Sequence, residues 1–115
     1  VQHALLTLLE HVHAGKLTIE QVVEKTAHAP ARLFHVAERG YIREGYWADL
    51  TLIDHNSSTE VDSSPVYAKC GWTPFAGFVF RSRVRATFVN GRLMYRDGQF
   101  AADDPTMPLT FVRPW

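Results

Sequence analysis

The chain has 115 residues, enough for one domain and too few for two, and its 46% apolar and 21% charged content excludes a disordered segment. Lys plus Arg and Asp plus Glu each number 12, so no net field is available to hold a nucleic acid or an anionic membrane. The lone Cys70 cannot form an internal disulfide, which favours a reducing, cytoplasmic setting, and no run approaches the roughly 18 apolar residues of a membrane span.

Residue 1 enters an amphipathic pattern directly, without an initiator Met or a signal-peptide layout, and is expected to continue something that precedes it. Val1, Leu5, Leu8, Leu9 and Val12 form one helical stripe, and Gly15 is placed to stop that helix. Thr18 to Gln21 fits a capping box, with Leu17 and Val22 placed for the accompanying staple. The second helix turns Ile19, Val22, Val23 and Ala27 inward. Pro30 is expected to break it and to open a short third helix carrying Ala31, Leu33, Phe34 and Val36.

Beyond residue 37 the character changes. Gly40 and Gly45 bracket Tyr41 to Glu44, and a strand reads from Ala48 to Asp54 with Leu50 and Leu52 on one side. Residues 54–64 read as a polar loop. Lys69-Cys70-Gly71-Trp72-Thr73-Pro74-Phe75-Ala76-Gly77 suits neither a helix nor a central strand, and Trp72 and Phe75 each need an apolar wall. Val84, Ala86 and Phe88 then alternate with Arg83, Arg85 and Thr87. With Arg81, the arginines form a basic run expected on the solvated outer face of that strand. Asn90-Gly91 predicts a type I′ hairpin, and Asp97-Gly98 turns again toward Phe100. The tail, with Pro105, Pro108, Pro114 and Trp115, reads as extended.

No catalytic constellation is legible. His11 and His13 sit on a helix about 200° apart and cannot share an ion. His3 lies two turns from His11, and His28 and His35 straddle Pro30, so capping, exposure or core contact is the expectation for each. Cys70 reads as a buried, inert thiol unless a histidine lies beside it. Asp49 and Asp54 read as strand-end charges, and no phosphate loop or nucleophile elbow is present.

Lys69 to Phe75 resembles the Lys-Cys-Gly-Trp-Ser-Pro-Phe-Glu-Gly signature of dihydroorotases and related cyclic amidohydrolases. His28-Ala29-Pro30-Ala31-Arg32-Leu33-Phe34 is similar to the Asn-Pro-Ala helix start of that superfamily. Gly40 to Gly45, followed by Ala48-Asp49-Leu50, resembles its return strand, and Val84 to Phe100 its closing hairpin. The opening Val1-Gln2-His3-Ala4-Leu5 is similar to the helix entered after the last metal-ligand strand. The structural part of the signature falls on Lys69, Cys70, Gly71, Trp72, Pro74, Phe75 and Gly77. Two departures from the family pattern count: Ala29 stands where the superfamily often has a capping Asn, and Ala76 where the signature has the Glu beside Phe75.

The resemblance implies an α+β fragment of a zinc-dependent hydrolase. Residues 1–37 would be terminal helices of a (β/α)8 barrel domain, and 38–115 the C-terminal part of a small composite β-sandwich. Its parent would interconvert N-carbamoyl-L-aspartate and dihydroorotate in pyrimidine biosynthesis. There zinc would polarise the amide and generate hydroxide, and an aspartate would shuttle the proton. The family's metal ligands and catalytic aspartate match no residue here, so no catalytic, substrate-binding or metal residue is assigned and the chain alone is expected to be inactive. An allantoinase or hydantoinase parent is the alternative, or a noncatalytic homologue scaffolding a partner such as aspartate transcarbamoylase. The partners expected are the missing N-terminal barrel and, for the isolated chain, further copies of itself.

Overall fold

The first helix, α1 (Ala4–His13), ends in a Schellman motif: the Lys16 amide donates to the His11 carbonyl and Gly15, at φ +69°, to the Val12 carbonyl, both at 2.9 Å. The computed structural model describes residues 1–112, so the tail residues Pro114 and Trp115 lie outside the described residues. The buried face of α1 is not the one that the apolar stripe predicts. His3, Leu6 and Leu9 turn inward, Leu5 packs at the margin, and Val1 stands exposed before the helix begins. What α1 covers is Phe80 and Val61, and contact with these two rotates the helix by about one residue, or 100°.

The Thr18–Gln21 capping box forms in both directions, at 3.2 and 2.9 Å, and starts α2 (Ile19–Val23). Pro30 does not break the helical run. The chain widens into a π-turn (Glu24–His28), then continues as α3 (Ala29–Leu33) with Ala29 still helical at φ −63°, ψ −44°. Proline has no N–H to give the carbonyl four residues back. Donation from the Ala29 amide to the Glu24 carbonyl shifts the bonding by one residue and lets the helix pass. Because α3 has no separate start, Ala29 forfeits no cap. The helix ends at Leu33, so Val36 is not helical, and Leu33 and Phe34 of the expected apolar face are exposed. Of that face only Ala31 is buried, under Gly40.

Four antiparallel strands form the main sheet in the order β1 (Leu50–Asp54), β4 (Arg83–Val89), β5 (Arg92–Arg96) and β6 (Gln99–Phe100). Asn90 and Gly91 take φ +51° and +79°, as a type I′ turn demands. Two short strands went unforeseen. Thr59–Glu60 (β2), inside the expected polar loop, pairs with Val79–Phe80 (β3), and the Val61 amide extends the pairing to the Phe78 carbonyl at 3.0 Å. The arginine run is divided. Arg81 lies in the turn before β4 and pairs with Glu10, while Arg85 pairs with Asp97 at the sheet surface. The tail returns to bridge Phe111 to Val36 and passes a 2.8 Å bond from the Val112 amide to the His35 carbonyl.

The core is small: Leu6, Leu9, Val61 and Phe80, with Leu5, Ile53, Phe75 and Val84 packed against them. The accessible surface, 8438 Å², exceeds the about 6400 Å² of a monomer of 13.1 kDa. The radius of gyration, 15.5 Å, likewise exceeds the about 13 Å of a compact domain this long. An open cleft of about 1020 Å³ separates the start of α1 from the sheet, lined by Val1, Leu5, Val84, Met94, Tyr95 and Phe100.

Candidate functional site

The loop at 69–77 is seated on the first residues of the chain. Gln2 bridges its approach, donating to the Pro65 carbonyl at 3.0 Å and accepting from the Tyr67 amide at 2.9 Å. One residue on, His3 is buried between two aromatic rings. Phe75 meets it edge-on at 5.5 Å, and Phe80 stacks on it at 5.7 Å. Its Nδ1 lies 3.2 Å from the Thr73 hydroxyl, which also accepts from the Phe75 amide. Burial, with a smaller push from the positive chain terminus, lowers the His3 pKa below its ordinary 6.5. A neutral imidazole therefore holds the loop.

Within the loop the two aromatic side chains part ways. Phe75 enters the core, contacting Phe78 and Phe80 as well as His3, so its expected apolar wall is present. Trp72 is 66% exposed and has no such wall, and Cys70 is exposed rather than buried, its thiol 3.6 Å from the Trp72 carbonyl. Both corrections have one cause. The loop's inner side is filled by Thr73 and Phe75, and the small core leaves nothing for residues 69–72 to pack against. Lys69 and Pro74 are also exposed, and Gly71 and Gly77 take φ +69° and +76°. Beside the signature's missing Glu, the Gly77 amide donates to Asp62 Oδ1 at 2.8 Å, so a carboxylate from another segment anchors the end of the loop.

A second polar cluster lies at the other end of α1. His13 and His55 both reach the fully buried Ser82 hydroxyl, at 3.0 and 3.1 Å. A serine beside histidines invites a nucleophile reading, but no substrate can touch an atom with no exposed surface. Nearby, Glu10 accepts from the Arg81 amide and guanidinium. Burial pushes its carboxyl up, but these bonds outweigh that and hold it below its usual value.

His11 and His13 project from separate faces of α1, and His28 stacks on Tyr41. Asp49 is more than a strand-end charge: it joins buried Arg39 to the Asn90 amide, locking the hairpin to the segment after α3. Sequence reasoning missed Gln2, Thr73, His55 and Ser82. Their partners lie 27 to 70 positions away, and no local spacing announces them. The metal implied by the resemblance finds no fit. Among the described residues no three His, Cys, Asp or Glu groups gather, and the facing nitrogens of His13 and His55 are engaged by Ser82. Among the described residues no helix is long and apolar enough to cross a membrane.

The dihydroorotase of Methanothermobacter thermautotrophicus is 36% identical over 95 residues, 83% of this chain and 22% of that protein. Among solved structures, the D-hydantoinase (dihydropyrimidinase) of a Thermus species superposes with a TM-score of 0.75 at 26% identity, covering 88% of this chain and 22% of its own. The L-hydantoinase of Arthrobacter aurescens gives 0.73 at 29%, covering 80% and 21%. The chain thus spans about a fifth of the length of these relatives. No protein-family model matches it.

Proposed function

Because the chain belongs to the dihydroorotase family of cyclic amidohydrolases, we propose that it forms the C-terminal portion of a cytoplasmic enzyme interconverting N-carbamoyl-L-aspartate and dihydroorotate. The observation that carries this reading is the 36% identity across 83% of the chain. Order along the chain supports it: α1 to α3 would close a barrel, and β1 to β6 would complete a small β-sandwich begun elsewhere in the polypeptide. The surface in excess of a compact domain, together with the cleft beside α1, is what such a division predicts.

In this reading the chain's own contribution is structural. Gln2, His3, Thr73 and Phe75 fix the signature loop to the segment that enters the last barrel helix. Zinc and the groups that move protons would belong to the remaining length. Alone, the chain turns over nothing, and its exposed Leu33, Phe34, Leu52 and Phe100 drive self-association. Light scattering tests the latter, and a monomer at high concentration contradicts it.

The hydantoinase structures favour a second reading, in which the parent opens a five- or six-membered cyclic amide other than dihydroorotate. Assaying the full-length protein with dihydroorotate, hydantoin and dihydrouracil, with the 115-residue chain alongside, separates the two. Turnover of dihydroorotate alone supports the first reading, and turnover of hydantoin or dihydrouracil without dihydroorotate overturns it.

A further inference from the structure

The buried Ser82 hydroxyl is shared by two imidazoles that stack on each other, ring centroids 3.9 Å apart and planes 12° from parallel. The three residues come from three places: the end of α1, the loop after β1, and the turn between β3 and β4. A hydroxyl has one hydrogen to donate and lone pairs to accept with. When both rings are neutral, it accepts from one ring nitrogen and donates to the other. When one ring is charged, that ring donates and the hydroxyl donates to its neutral neighbour, so every group is still satisfied. When both are charged, both donate. The hydroxyl hydrogen then has no acceptor, since Ser82 Oγ has no further hydrogen-bond partner among the described residues. Two cations would also face each other at stacking distance.

We propose that His13, Ser82 and His55 form a one-charge latch that holds the end of α1 to the sheet while at most one imidazole is protonated, and opens when the second takes a proton. The surrounding charges compensate a second cation only in part. On α1, Glu10 sits one turn before His13 and attracts a charge there, but its carboxylate is bonded to Arg81, and His11 is exposed. Arg81, in the turn and paired with Glu10, and Arg83, which opens β4, flank Ser82. At the end of β1, Asp54 stands opposite Arg83 in the strand register and accepts from the Asn56 amide. On β2, Glu60 is bonded to Ser63. Opening would also loosen Thr59, whose hydroxyl donates to the Ser82 carbonyl at 2.8 Å.

Hydrogen exchange of the intact protein, followed by mass spectrometry from about pH 7.5 to about 5, tests the latch. His55→Asn and His13→Gln place an amide nitrogen near the lost ring nitrogen and cannot be protonated. In the wild type, peptides covering residues 10–17 and 80–84 lose about tenfold protection beyond the intrinsic change in exchange rate, while β5 keeps its protection. In either variant the loss shrinks to about twofold or less. His3, also acid-sensitive, is present in all three proteins, so its effect cancels in the difference. The proposal is overturned if the wild type stays protected to the acid limit or the variants open equally. It is also overturned if the wild-type His13 and His55 ring protons both titrate by NMR with α1 still in place, a result that needs no variant.

Discussion

His3 Nδ1 and the Thr73 hydroxyl lie 3.2 Å apart across 70 positions of chain, and with the His3–Phe75 ring contact they join the entry of α1 to the signature loop. The site that buries His3 disfavours the charged ring. The folded state therefore binds this proton less readily than the unfolded chain, whose imidazole titrates near 6.5. By linkage, the stability contributed by His3 is complete above about pH 6.5 and is lost as pH falls toward the lowered folded value. Urea midpoints measured from neutral to acid pH should fall, and His3→Asn should flatten part of that slope while lowering the midpoint at neutral pH. An unchanged slope in the variant would assign the acid sensitivity elsewhere.

Gly40 cannot be replaced cheaply. A Cβ built on it would lie 2.4 Å from the Ala31 Cβ and 2.9 Å from the Ala27 carbonyl oxygen, and its φ of +81° disfavours any L side chain. Both neighbours belong to the helical run through Pro30, so they can yield only by moving that run. Gly40→Ala should destabilise the protein by about 2–4 kcal/mol, overpacking and backbone strain adding. Gly45→Ala shares the positive φ but meets nothing within 4 Å, so it should lose only about 1 kcal/mol. Chemical denaturation of the pair checks the difference, and equal losses would show that strain, not contact, governs both.

Glu10→Gln probes the joint between α1 and the turn before β4. The Arg81 amide and guanidinium hold the Glu10 carboxyl below its ordinary 4.5 despite the opposing effect of burial. A depressed carboxylate gives stability that is present above about pH 4.5 and lost as pH falls toward the folded value. The variant should be about 1 kcal/mol less stable near neutrality, an allowance for one partly buried charged bond with an exposed partner. Near pH 3 the two proteins should converge in thermal unfolding, and a gap that persists there would rule out the carboxylate charge as its origin.

These contacts show where the sequence was legible. Thr18 with Gln21 and Asn90 with Gly91 act within four residues, so capping and turn chemistry alone locate the second helix and the hairpin. Pro30 deceived because its missing N–H has two remedies, a break or a widened turn, and packing of Ala31 under Gly40 favours the helix that continues. The face of α1 was misplaced by one residue because Leu5 and Leu6 are equally apolar, and only Phe80 and Val61 decide between them. β2 has no hydrophobic signal at all. Thr59 and Glu60 are strand residues only because Val79 and Phe80 lie beside them. In the loop, the resemblance located Phe75 but neither the bond that Thr73 makes nor their partner His3.

The exposed side of that loop gives the prediction closest to function. Cys70 and Trp72 point away from the core that Phe75 enters, although both belong to the stretch that resembles the dihydroorotase signature. If the rest of the polypeptide packs over the loop, the thiol is accessible in the 115-residue chain and shielded in the full-length protein. Labelling of Cys70 by a neutral disulfide reagent should then slow by about tenfold or more in the longer protein, since modification of a covered thiol requires local opening. Trp72→Ala supplies the energetic counterpart. In the isolated chain it removes an exposed ring and should change stability by no more than about 0.5 kcal/mol, whereas covering would raise the loss to about 3 kcal/mol in the full-length protein. Phe75→Ala should lose about 3 kcal/mol in both, because its contacts with His3, Phe78 and Phe80 lie within this chain. Equal Cys70 labelling rates in the two proteins, with Trp72→Ala neutral in each, would leave the outer side of the loop facing solvent and contradict its packing against the remaining length.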